Sequence, residues 1–108
     1  MKKTALLDIL ADVNFPIGKI VIHPNDGSDL DLFQLSYPVK LFCNLTIEEF
    51  KETASPRCTH EYFEGELLLS NRCRSNTIEL SMKLNNQLKN PDKALLVYED
   101  GRLLLLTK

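Results

Sequence analysis

The C-terminal segment constrains the fold of this chain more than any other stretch. Residues 94–99 (ALLVYE) and 102–107 (RLLLLT) are two apolar runs joined by Asp100-Gly101. A two-residue type I′ turn needs positive φ at both central positions, and Asp-Gly accepts that geometry readily. The spacing predicts a β-hairpin in which Glu99 faces Arg102, Val97 faces Leu104 and Leu95 faces Leu106. On the other side Tyr98 meets Leu103 and Leu96 meets Leu105. Beyond the Glu99–Arg102 pair both faces are apolar. An antiparallel strand with one wet face alternates polar and apolar residues, so this hairpin must be covered twice. The second cover is either the chain's own helices or another subunit. Because monomers rarely expose a large apolar patch, Leu96, Tyr98, Leu103 and Leu105 are the expected contact surface of a homodimer.

Further upstream, Leu6, Ile9, Leu10 and Val13 recur at helical spacing with Lys3, Asp8 and Asp12 opposite, which predicts an amphipathic helix stopped by Asn14 and Pro16. Residues 17–22 are short and β-branched and read as a strand. Residues 23–28 (HPNDGS) are turn formers, expected as a surface loop. Leu30 and Leu32 alternate with acids, and Phe33, Leu35 and Tyr37 continue on the opposite parity, as in a strand broken near Leu32-Phe33. Val39, Leu41 and Cys43 share one face of a further strand.

Thr46 followed by Glu49 forms a capping pair for a helix, with Leu45 and Phe50 as its hydrophobic staple and Pro56 beyond its end. Residues 62–69 predict a strand, with Gly65 as a bulge or point of close approach. Residues 77–89 fit both periods. The Asn76/Glu79 pair and a length beyond a usual strand favour helix. The expected architecture is one α+β domain over residues 1–108, in the order α-β-β-β-α-β-α-β-β. Its sheet is mostly antiparallel with about three helices packed on it, and no internal repeat is visible.

At 108 residues and a net charge of −2, the chain can bury a core without disulfides and lacks the basic footprint of a nucleic-acid binder. Cys43, Cys58 and Cys73 are an odd set, so a reducing compartment is the simpler expectation. Asp8 and Asp12 interrupt the N-terminal apolar stretch, and no apolar run reaches the roughly 18 residues of a membrane span. These features predict a cytoplasmic protein with no membrane partner.

Cys58-Thr59-His60, with Cys43 and Cys73 elsewhere, does not match the paired ligand spacing of a structural zinc site. Asp26, Asp29 and Asp31 around Gly27 do not match a calcium loop. No metal or cofactor is therefore expected. Cys58 and His60 remain weak candidates for a nucleophile and its base, with Glu61, Glu64 or Glu66 as the orienting group. Arg57, Arg72 and Arg74 form a candidate anion site, because guanidinium groups bind carboxylate and phosphate bidentately. The leading expectation is a non-enzymatic interaction domain that self-associates through its sheet. The alternative is a small enzyme or ligand-binding protein using Cys58, His60 and the three arginines on an unspecified small molecule.

Overall fold

A computed structural model describes residues 1–108. Its elements, in chain order, are β1 (Lys2–Lys3), β2 (Leu7–Asp12), β3 (Lys19–Ile22), α1 (Pro24–Ser28), β4 (Ser36–Cys43), α2 (Ile47–Glu52), β5 (Phe63–Leu69), β6 (Thr77–Ser81), α3 (Met82–Gln87), β7 (Lys93–Glu99) and β8 (Arg102–Thr107). The sheet runs β1-β7-β2-β6-β3-β5-β4-β8, and β8 pairs back onto β7 to close it. Both β1 and β2 lie on β7, at Lys2↔Tyr98 and Leu7↔Ala94, so they are two pieces of one N-terminal strand. Thr4 bridges the gap: its N–H donates to the Leu96 carbonyl at 2.9 Å, and its hydroxyl accepts from the Leu96 N–H at 3.0 Å. The result is a closed barrel with seven strand positions.

This overturns the expected sheet with helices packed on it. The sheet is mixed, since β2–β6, β3–β5 and β4–β8 are parallel, and closure removes the exposed edges that an open sheet would have to protect. The core is the barrel interior, a cluster of 17 buried residues including Leu7, Ile20, Leu41, Leu67 and Leu96.

Residues 7–12 form strand, not helix, with Leu6 before it and Val13 in the turn after it. Leu7 is buried and Ile9 half-buried, while Leu6, Leu10 and Val13 are exposed. The helical spacing arose because Leu10, an outward residue on a strand, stands where a polar one would ordinarily alternate. The segment 77–89 divides, with strand to Ser81 and helix from Met82; Ser81 Oγ caps that helix by accepting from Leu84 N–H at 2.8 Å. Both periods were present because both structures are. The expected loop at 23–28 contains the one-turn helix α1, capped by His23 Nδ1.

Other local expectations hold. Thr46 and Glu49 form the complete capping box of α2, and their mutual bonds hold the Glu49 carboxyl below its ordinary pKa. The hairpin pairs in the predicted register, with Asp100 at φ 48 and Gly101 at φ 78. Gly65 is a close-approach point: a Cβ there would lie 2.4 Å from the Gly18 carbonyl oxygen, and one on Gly18 would lie 2.4 Å from that of Glu64.

The chain itself supplies both covers of the hairpin. Leu96, Leu103 and Leu105 are 0–1% exposed and point with Tyr98 into the barrel. On the outer face Val97 and Leu104 pack with Phe42 and Phe50 beneath α2, flanked by Leu45, Ile47, Leu95 and Leu106. The predicted dimer-contact residues are therefore interior residues, and closure of the barrel is the reason.

An internal two-fold organises the barrel. Val21 pairs directly with Glu79, 58 positions later, across the antiparallel β3–β6 contact. The same offset maps the β3–β5 register Ile20↔Leu67 onto the β6–β2 register Ile78↔Ile9. It also maps individual backbone bonds. Lys19 N–H to Pro16 O matches Thr77 N–H to Arg74 O, Glu66 N–H to Gly18 O matches Asp8 N–H to Asn76 O, and Leu32 N–H to Gly27 O matches Asn90 N–H to Asn85 O. Over residues 7–31 only Leu10/Leu68, Ile20/Ile78 and Leu30/Leu88 are identical between the halves, which left the repeat invisible in the sequence.

Candidate functional site

The two most exposed large apolar side chains, Phe33 at 77% and Leu35 at 81%, share the loop between α1 and β4. That loop is not slack. Leu32 N–H donates to the Gly27 carbonyl at 3.0 Å, and the Leu35 carbonyl accepts from Leu69 N–H at 2.9 Å. Between them the Tyr37 hydroxyl accepts from both Phe33 N–H (2.9 Å) and Gln34 N–H (2.8 Å). The Tyr37 ring packs against the barrel core and stands edge-on to Tyr98, with centroids 6.4 Å apart. The backbone is thereby anchored to the core while Phe33 and Leu35 project into solvent.

Phe33 and Leu35 flank a groove of about 360 Å³ lined also by Pro24, Leu32, Leu69 and Arg72, with Gln34, Ser70 and Asn71 completing it. Leu32 and Leu69 are each 6% exposed and supply its buried apolar surface. Arg72 is the one charged residue of the lining. It comes from the segment 70–76, which is itself held down. Ser70 N–H donates to the Ile22 carbonyl at 3.0 Å, Cys73 is 2% exposed, and Asn76 N–H donates to the buried Asp26 carboxylate at 2.8 Å. The Arg72 guanidinium has no ion-pair partner within the chain.

The other sequence-predicted residues are dispersed. Arg57, Cys58 and His60 line a separate open depression with Glu52, Ser55 and Thr59. His60 Nε2 lies 3.8 Å from Glu52 Oε2, and Cys58 makes no hydrogen bond to His60. Arg74 is exposed and lines neither depression, so the three arginines do not converge. Burial pushes the Cys43 thiol up to about 11. Burial first, then the neighbouring Glu79, pushes Cys73 up to about 12. Both are thiols at neutral pH, not thiolates, and poor nucleophiles. Cys73 is buried, and Cys43 is half-buried against the core cluster. No three His, Cys, Asp or Glu side chains gather as a metal-ligand set.

The largest depression, about 580 Å³, opens beside the hairpin turn and contains Lys40, Glu64, Asp100 and Arg102. Its Arg102 is already engaged: the guanidinium donates to Phe50 O at 3.1 Å, Thr53 Oγ1 at 2.7 Å and Glu99 Oε2 at 3.2 Å, and stacks over the Phe50 ring. It ties the hairpin to α2 and is a structural group. Sequence patterning missed the Phe33/Leu35 surface because those residues read as one face of a strand. Their only signal was the change of parity after Leu32. No helix is long and apolar enough to cross a membrane. No family model, curated protein or solved structure matches this chain.

Proposed function

We propose that this chain is a non-enzymatic binding module that receives a partner protein on the Phe33–Leu35 loop and its groove. The observation that carries the reading is the bonded backbone beneath two fully presented apolar side chains. Large apolar groups left in solvent are characteristic of recognition surfaces when they flank a concavity. A backbone already held in one conformation loses little further entropy on association. An aromatic ring, an aliphatic side chain and an arginine around one groove also match the composition of interface hot spots.

The absence of a Cys58–His60 hydrogen bond leaves the catalytic reading without the geometry it needs. A random peptide library displayed on phage and panned against the intact protein tests the reading. Enrichment of related peptides on the parent chain and its loss on the double variant Phe33→Ser/Leu35→Ser is the expected result. Each side chain contributes about 1–2 kcal/mol to binding on the scale of hot-spot truncations. Equal enrichment on both proteins would reject it. Both side chains are exposed, so the variant keeps its thermal stability, which circular dichroism checks.

A further inference from the structure

We infer that the segment seated in the groove pairs an apolar side chain with a carboxylate, the first against Leu32, Leu35 and Leu69 and the second on Arg72. This inference rests on the binding reading above and names the chemistry of the partner. The groove is bounded by Phe33, Leu35, Leu32, Leu69 and Pro24, so its apolar part fits one aliphatic or aromatic side chain. Its remaining lining is neutral and polar, apart from one cation. Arg72 has no ion-pair partner and extends from a loop fixed by Cys73 and by the Asp26–Asn76 bond. An arginine beside an apolar floor, with no acid in the lining to compete, is complementary to a carboxylate, which its guanidinium can grip through two parallel hydrogen bonds. A partner presenting lysine or arginine there would meet like charge, and an entirely apolar one would desolvate Arg72 without return. Charge complementarity therefore selects an acidic-apolar peptide segment.

The phage-displayed library tests this as well, panned in parallel on the parent, on Arg72→Gln and on Arg72→Glu. Peptides enriched on the parent carry Asp, Glu or a free C-terminal carboxylate next to a large apolar residue. Synthesised singly, they lose about tenfold or more in affinity for Arg72→Gln, as expected for one charged hydrogen-bonded pair. Replacing their acid by its amide costs as much, and the two losses do not add, since one contact is removed either way. Arg72→Glu selects basic peptides instead. Peptides that bind the parent with no preference for acids would overturn the carboxylate assignment and leave the binding module standing. No enrichment over Phe33→Ser/Leu35→Ser would overturn both. A dimer of the parent that Phe33→Ser/Leu35→Ser dissociates in sedimentation would place a second copy on this surface and overturn the partner assignment. Arg72 makes no side-chain contact that folding needs, so unchanged melting of its variants keeps each outcome interpretable.

Discussion

The two halves related by the 58-residue offset share a backbone and differ in what they present. Leu7 faces Ala94 across the sheet, and its counterpart Gly65 faces Val39. That equates Val39 with Ala94, an offset of 55 in place of 58. The first half therefore carries three additional residues between its helix and its outer strand, within the segment that holds Phe33 and Leu35. In the second half the chain passes from Leu88 through Lys89, Asn90, Pro91 and Asp92 into β7. The candidate site thus occupies the place where the two-fold is broken. Conserved geometry builds the barrel, and the inserted residues, which the barrel does not need, are free to carry recognition.

A smaller exchange shows the same tolerance in the core. Gly27 lies against Leu69, whose methyls would sit 2.8 Å from an added Cβ. Their counterparts are Asn85 and Ala11. A small helix residue and a large strand residue in one half are exchanged for a larger helix residue and a small strand residue in the other, the pattern of a volume-conserving swap.

The largest expected effect lies outside the repeated elements, where α2 closes over Val97 of β7 and Leu104 of β8. Truncating Phe50, which is 0% exposed, to Ala should cost about 3–5 kcal/mol in urea denaturation. A cost below about 1 kcal/mol would mean the hairpin's outer face does not depend on α2. Next come the crossing glycines. Gly18→Ala or Gly65→Ala places a methyl against backbone oxygen, where no side chain can yield, and should cost about 3 kcal/mol. The counterpart of Gly18 is Asn76, at φ 66. Gly18 does not share that left-handed backbone, so the two positions differ in conformation as well as in packing. Asn76→Gly should change stability by no more than about 1 kcal/mol in urea denaturation, and a larger loss would mean that the Asn76 side chain itself holds the turn.

At the inserted loop, Tyr37→Phe on β4 removes the acceptor of the Phe33 and Gln34 N–H groups. It should cost about 1 kcal/mol and accelerate amide exchange at Phe33 and Gln34, while peptide affinity falls without loss of any groove side chain. Unchanged exchange would show that the loop is held by other contacts. The last effect is a loss of stability that sets in only in alkali. Cys73, the counterpart of Phe15, has its folded pKa raised to about 12 from an ordinary 9.0. The folded state then holds a proton that the unfolded chain releases. This contribution is fully present below pH 9 and is lost as pH rises toward 12. Cys73→Val should flatten the alkaline limb of the stability profile, and an unchanged limb would assign it to other groups.

Local chemistry was legible wherever neighbours in sequence are also neighbours in space. The capping box at Thr46 and Glu49 and the register of the C-terminal hairpin follow from short-range sterics and hydrogen bonding, whereas Gly65 marked a close approach without revealing its distant partner Gly18. Periodicity misled where a strand carried an outward leucine, as at Leu10, and where one segment held two structures, as at Ser81-Met82. The candidate site was harder to find. Arg72 was singled out only as one of three arginines of an expected anion site, and its meeting with Phe33 and Leu35 joins residues nearly forty positions apart.

By itself, the sequence determined that the C-terminal hairpin forms and that both of its faces must be buried, because Asp100-Gly101 and the flanking apolar runs permit little else. Only the tertiary structure decided what buries them. The inner face closes a barrel through parallel contacts with β4, and the outer face lies beneath α2. Such pairings depend on the three-dimensional path of the whole chain, which no local pattern encodes, and the same closure left Phe33 and Leu35 as the apolar side chains most exposed to solvent.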